Sequence, residues 1–151
     1  LKLKYHHKGD IKVIYSMSDT KHYIPMPEIP GEKDFNPYYM MLKMDINKPL
    51  YICNHILCIV NYQQDGMTSR VLQSYEECPV SYAMLREAYL EHQEIPCMFA
   101  YRQCIHYVSS WIFAKRQKKK VNSLWRRKLV WMAVIPGVIL NMWVCWKNRR
   151  H

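Results

Sequence analysis

Cysteine and histidine side chains are the first candidates for chemistry in this chain of 151 residues, which contains six Cys and seven His. The run 53–58, CNHILC, holds three residues of the types that ligate zinc. On a strand, its first Cys and its His would lie on one face and its second Cys on the other. No Cys or His pair has a CxxC or HxxxH spacing. The cysteines are therefore interpreted first as buried apolar thiols, and a metal site or a disulfide such as Cys78 with Cys97 are the alternatives.

Carboxylates offer no clearer catalytic pattern. Glu87, Glu91 and Glu94 share a predicted helix at near-neighbour spacings, an arrangement that usually faces water. The chain has no glycine-rich phosphate loop, no nucleophile elbow and no metalloprotease His-Glu motif. We therefore expect a non-enzyme with no catalytic residue, no bound metal and no cofactor.

Positive charge is concentrated near the C-terminus. Residues 112–151 carry eleven Lys and Arg and no acidic residue, whereas residues 1–111 carry eleven Lys and Arg against twelve Asp and Glu. Eight of these cations precede an apolar run, where they are expected to set topology and to bind anionic phospholipid such as cardiolipin: Lys115, Arg116, Lys118, Lys119, Lys120, Arg126, Arg127 and Lys128. Nucleic acid, stacked on Trp111 and Trp125, is the less favoured alternative because the charges crowd against that run.

The apolar run is Leu129 to Trp146, LVWMAVIPGVILNMWVCW, which contains no charged residue. A continuous helix of this length covers about 27 Å, close to the hydrocarbon thickness of a bilayer. The run therefore predicts a single transmembrane helix. Pro136, Gly137 and Asn141 are expected to pack against helices of partner subunits, because freed backbone groups and a polar amide are poorly placed in lipid.

The patterns along the chain predict a mainly α fold class, with a small β portion near the N-terminus and a single C-terminal transmembrane helix. Met40–Ile46 alternates as a half-buried strand does, and 50–62 is either its return strand or a buried helix. The predicted organisation is an extended proline-containing arm at 1–37, an extramembrane α+β region at 38–114 with helices near 75–94 and 97–120, a basic juxtamembrane segment at 115–128, the span at 129–146 and a basic tail at 147–151.

In this organisation the chain resembles small single-span accessory subunits of mitochondrial inner-membrane assemblies. The resemblance implies a non-catalytic subunit of the respiratory chain or ATP synthase, with other subunits as partners. Eight cations before the predicted span and three after it would place the N-terminal part on the matrix side. The alternatives are a tail-anchored receptor or tether of the endoplasmic reticulum or outer mitochondrial membrane, and a membrane-attached ribosomal or RNA-binding protein.

Overall fold

The computed structural model describes residues 13–45, 70–92 and 95–150, together with positions 51, 53, 55, 56 and 59. These residues form a helical fold. Its helices are α1 (Met17–Thr20), α2 (Tyr38–Asp45), α3 (Val71–Glu77), α4 (Pro79–Glu91), α5 (Cys97–Arg116), α6 (Lys128–Met132) and α7 (Val134–Asn148), with a 3₁₀ turn at Lys21–Tyr23. The longest helix, α5, is central, because α4 and α7 both pack along it.

The predicted β portion is wrong for the described residues, which contain no strand. Tyr38–Asp45 is helical because Asn36 Oδ1 accepts a hydrogen bond from the Tyr38 amide at 3.0 Å, which caps the helix start. The alternating side chains at 40–45 are largely Met and Leu, which favour helices, and α2 packs against α4 with Met44 buried. The second predicted strand, 50–62, lies mostly outside the described residues, and the five described positions there are exposed and irregular.

Prolines set the boundaries of the two central helices. Pro79 is the first residue of α4, where its missing N–H costs no helical hydrogen bond. Pro96 is the N-cap residue of α5, immediately before its first residue, Cys97. The helix predicted near 75–94 is in fact two helices, α3 and α4, which are separated at Cys78.

The predicted transmembrane helix is also wrong, since Leu129–Trp146 is not one helix. It is divided at Ala133 between α6 and α7, and Pro136 lies in the first turn of α7. Pro136 has no N–H to donate to the carbonyl of Met132, four residues earlier. The Tyr101 hydroxyl on α5 donates to that carbonyl instead, at 3.2 Å. Among the described residues, no helix has both the length and the apolar character needed to cross a bilayer.

Two carboxylates help to hold the N-terminal arm on the helices: Asp34, whose Oδ2 accepts the Ser74 hydroxyl at 2.8 Å, and Glu32. Glu32 Oε1 accepts the Val80 amide at 2.9 Å, and Glu32 Oε2 accepts the Ser81 amide at 2.8 Å and the Ser81 hydroxyl at 2.6 Å. These amides lie in the first turn of α4, where backbone donors have no helical partner and negative charge is favourable. Lys119 also bonds Glu32 at 3.1 Å, so this carboxylate joins the arm, α4 and the segment after α5.

Candidate functional site

The C-terminal helices expose a continuous apolar face. Its residues recur at the spacings of one side of a helix, and each is between 39% and 74% exposed. We call this surface the apolar face; its members are Trp131, Met132, Ile135, Val138, Ile139, Met142, Trp143 and Trp146. With about 200 Å² for a fully exposed large side chain, the face leaves on the order of 900 Å² of apolar surface uncovered. Contiguous patches of this size mark interaction sites.

The opposite side of α6 and α7 packs on α5, and its buried residues are Val130, Ala133, Gly137, Asn141 and Val144. A Cβ added to Gly137 would lie 2.6 Å from the Val108 Cβ, so the two helices approach closely there. Asn141 is 1% exposed and donates from its amide to the Ser109 carbonyl at 3.2 Å. The structure thus places the predicted packing residues Gly137 and Asn141 against α5 of the same chain, while Pro136 is half-buried.

The cations predicted to meet lipid headgroups lie at the end of α5, in the segment 117–127 and at the start of α6. Two of them are engaged inside the protein: Lys119 with Glu32, and Arg127, whose guanidinium donates to the Leu90 carbonyl at 2.9 Å. Lys115 lies 5.3 Å from the centre of the Trp111 ring, a cation–π contact. Arg116 donates to the Cys145 sulfur at 3.1 Å. The remaining four, Lys118, Lys120, Arg126 and Lys128, are exposed.

Aromatic contacts connect the apolar face to these cations. The Trp125 ring lies 5.3 Å from the Trp111 ring and 5.3 Å from the Trp131 ring, centre to centre. The Trp131 indole also donates to the Trp125 carbonyl at 2.9 Å. At the other end of the face, the Arg150 guanidinium stacks 3.8 Å from the centre of the Trp146 ring. Tryptophan and cations therefore adjoin both ends of the face.

The segment 117–127 is fixed to the core and does not lie free. Tyr107 is fully buried, and its hydroxyl donates to the Asn122 carbonyl and accepts the Leu124 amide, the latter at 3.1 Å. The Asn122 side chain donates to Glu87 Oε2 at 3.1 Å. Burial raises the pKa of Glu87 above its usual value. The cations carried by this segment are therefore held in place relative to the helices.

A buried polar pair, which sequence reasoning did not identify, joins α3 to α5. The Tyr75 hydroxyl lies 3.1 Å from His106 Nδ1 and donates to the His106 carbonyl at 2.8 Å. Burial, with the nearby charges of Arg86 and Arg102, lowers the pKa of His106 to about 4, so the imidazole is neutral at pH 7. Burial also raises the pKa of Tyr75. The pair links two helices, and Arg86 is anchored beside it by a 3.0 Å bond to Gln103.

The residues first considered for chemistry are dispersed. Cys78 is a buried free thiol, and Cys97 is an exposed one, so the two do not form a disulfide. In the run 53–58, the described Cys53 and His55 are exposed, and its second Cys lies outside the described residues. Within the described parts of the chain, no group of three Cys, His, Asp or Glu could hold a metal ion. Glu91 pairs with Lys43 on α2, and Glu94 is outside the described residues.

The two-sided character of α7 had a signal in the sequence. Ala133, Gly137 and Asn141 recur every four residues and therefore lie on one side of a helix. The large apolar side chains lie on the other side. Regular spacing of small residues permits close helix packing whether the surroundings are lipid or protein. The role of Glu32 had no comparable signal, because its partners lie about fifty and ninety residues away in the sequence.

No known protein family matches this chain, and no curated protein or solved structure is significantly similar to it.

Proposed function

We propose that this chain is a non-catalytic attachment protein that binds a membrane surface peripherally through the apolar face of α6 and α7. The observation that supports the proposal is the apolar face itself, uncovered over eight large side chains and adjoined by Trp and by cations at both ends. Helices with an apolar face beside Lys- and Arg-rich polar surface lie in the headgroup region of bilayers. Tryptophan favours that same depth. In this protein the Lys and Arg lie at the two ends of the face.

The apolar face is large enough to contribute strongly to such binding. At about 25 cal/mol per Å², covering one third of the face contributes about 7 kcal/mol before the entropic cost of association. Cations near an anionic surface add about 1 kcal/mol each. The apolar contact and the flanking cations therefore favour the same surface.

Vesicle flotation with the full chain tests the proposal. We expect the chain to float with liposomes and the double variant Ile135→Gln, Met142→Gln to remain at the bottom of the gradient. Both side chains are exposed, at 74% and 64%, so the variant should keep its fold, and circular dichroism checks this. Met17→Gln, at an apolar position on α1 that is 68% exposed, is the matched control and should float as the parent does. Equal flotation of the face variant and the parent would contradict the proposal.

A second candidate is an accessory subunit of a multi-subunit membrane complex, for which the mitochondrial inner membrane is the favoured location. The observation in its favour is a separate set of exposed apolar side chains on the arm, Ile14, Met17 and Ile24, at 80%, 68% and 55% exposure. A bilayer contact through α7 does not require them, whereas a neighbouring subunit would cover them.

Purification of native membranes in mild detergent distinguishes the two candidates. A subunit should migrate with other chains in a fixed ratio, and Met17→Gln should weaken that association. An attachment protein should migrate alone once detergent replaces the bilayer, and Met17→Gln should then have no effect.

A further inference from the structure

The charges around the apolar face indicate what kind of membrane it binds. Residues 95–150 contain twelve Lys and Arg and no acidic residue. The structure separates cations with internal roles from those without: Lys119 and Arg127 bond to Glu32 and to the Leu90 carbonyl. Lys118, Lys120, Arg126 and Lys128 are exposed, and their side chains have no hydrogen-bond or ion-pair partner among the described residues. We call these four the free cations.

Two of the free cations, Arg126 and Lys128, lie at the start of the apolar face, and a second positive group lies at its other end. Lys118 and Lys120 follow the C-terminal end of α5, where Arg116 bonds Cys145 of α7. Trp125, next to Arg126, contacts Trp131 at the start of the face. Arg150 stacks on Trp146 at its end, with Lys147 and Arg149 beside it in the sequence. From Lys128 to Asn148 the two helices cover about 30 Å at 1.5 Å per residue. One flat anionic surface can therefore meet both positive ends and the face between them.

We propose that α6 and α7 lie in the plane of a single leaflet that contains anionic phospholipid, with the apolar face among the upper acyl chains and both positive ends on lipid phosphates. This inference rests on the attachment function proposed above and adds the lipid class and the orientation to it. Charge complementarity identifies the occupant, because six Lys and Arg of residues 126–128 and 147–150 lie at the two ends of the face. They outnumber the Glu76 carboxylate, which accepts a hydrogen bond from Asn148 at 2.7 Å. A second copy of the chain would bring like charges together.

The lipid class is tested with vesicles of phosphatidylcholine alone and of phosphatidylcholine mixed with phosphatidylglycerol. We expect the double variant Arg126→Gln, Lys128→Gln to bind the anionic vesicles about thirtyfold more weakly than the parent, at about 1 kcal/mol per cation. The matched control is Lys21→Gln, Lys33→Gln, which removes the same charge from exposed positions on the arm. The control should bind within about threefold of the parent, since screened distant charges contribute little.

The orientation is tested with lipids brominated at shallow or deep acyl positions, which quench tryptophan fluorescence at those depths. An in-plane arrangement predicts stronger quenching by the shallow bromines, because Trp131, Trp143 and Trp146 all lie on the apolar face. Dominant quenching by deep bromines would overturn the orientation.

The outcomes separate this inference from the attachment function. Equal binding to both vesicle types, abolished by Ile135→Gln and Met142→Gln, would overturn the anionic preference and leave peripheral attachment standing. Absence of binding to either vesicle would overturn both. Sedimentation could instead show a concentration-dependent dimer that does not bind vesicles. The apolar face would then be a contact between two copies of the chain, and both proposals would be overturned.

Discussion

Gly137 on α7 lies against Val108 on α5 so closely that a Cβ added to Gly137 would come within 2.6 Å of the Val108 Cβ. The same position would also meet the Ile105 carbonyl at 3.1 Å. This contact fixes which side of α7 faces the protein, and it consequently leaves the large apolar side chains on the other side uncovered.

Gly137→Ala should destabilise the fold. The added methyl group has no space, and displacement of α7 from α5 should cost more than the roughly 1 kcal/mol gained from the better helix propensity of Ala. We expect a net loss of about 1–2 kcal/mol in the free energy of unfolding, measured by urea denaturation. Ile139→Ala, at an exposed position of the same helix, is the control and should change stability by less than about 0.5 kcal/mol. An unchanged midpoint for Gly137→Ala would show that the helices are not in contact here.

Tyr101→Phe should cost stability only while Pro136 is present. The Tyr101 hydroxyl bonds the Met132 carbonyl, which has no helical donor because residue 136 is proline. We expect a loss of about 1 kcal/mol in the parent chain. In the Pro136→Ala background, the restored N–H can take this role, and the same substitution should cost clearly less. A double-mutant cycle by urea denaturation measures the difference, and equal costs in both backgrounds would refute the relationship.

Glu32→Gln should loosen the contact between the arm and the first turn of α4. The carboxylate accepts four bonds, from the Val80 and Ser81 amides, the Ser81 hydroxyl and Lys119, while its side chain is 1% exposed. An amide cannot accept at its nitrogen, so buried donors would lose their partner, at a cost of about 2 kcal/mol. Glu28→Gln, at an exposed position four residues earlier, is the matched control and should be nearly neutral. Limited proteolysis of the arm and urea denaturation provide the two measurements.

Lys118→Gly should stabilise the protein while removing a free cation. Lys118 has a φ of 58°, in the left-handed region. It follows α5 in a Schellman arrangement, with the Lys119 amide bonded to the Ala114 carbonyl at 2.8 Å and the Lys118 amide bonded to the Lys115 carbonyl at 3.0 Å. Glycine adopts this φ without strain, so we expect a gain of about 1 kcal/mol by thermal or urea denaturation. Lys120→Gly, outside that conformation, should give no gain. A loss of stability in Lys118→Gly would contradict the assigned role of this position.

His106 should make the fold less stable as the pH falls below neutrality. Its folded-state pKa, about 4, is below the unfolded value of 6.5, so between these values the unfolded chain binds a proton that the folded chain does not. The contribution of the neutral imidazole is complete above about pH 7 and decreases as the pH approaches 4, by about 3 kcal/mol in total. His106→Asn removes this titration, so its stability relative to the parent should improve steadily over that interval. A constant difference between parent and variant across the interval would exclude His106 as the cause.

The helix boundaries at prolines were predictable from the sequence, because the covalent geometry of proline restricts where it can stand in a helix. Pro79 and Pro96 mark the beginnings of α4 and α5, because proline cannot occupy a helix interior without loss of a hydrogen bond. The predicted strand at Met40–Ile46 failed because a short alternating pattern of Met and Leu fits either secondary structure. Here the cap at Asn36 and the packing on α4 determine that the segment is a helix.

By itself, the sequence determined that an uncharged run, Leu129 to Trp146, lies between two groups of cations and contains a stripe of small residues. Tertiary structure alone decided what covers each side of that run, because apolar composition does not specify whether lipid or protein surrounds it. Tyr101 and Val108, about thirty residues away, supply the hydrogen bond and the contact that turn one side toward α5. Likewise, Lys118 and Lys119 are equivalent in the sequence, and only the position of the buried Glu32 carboxylate makes one of them structural and leaves the other free.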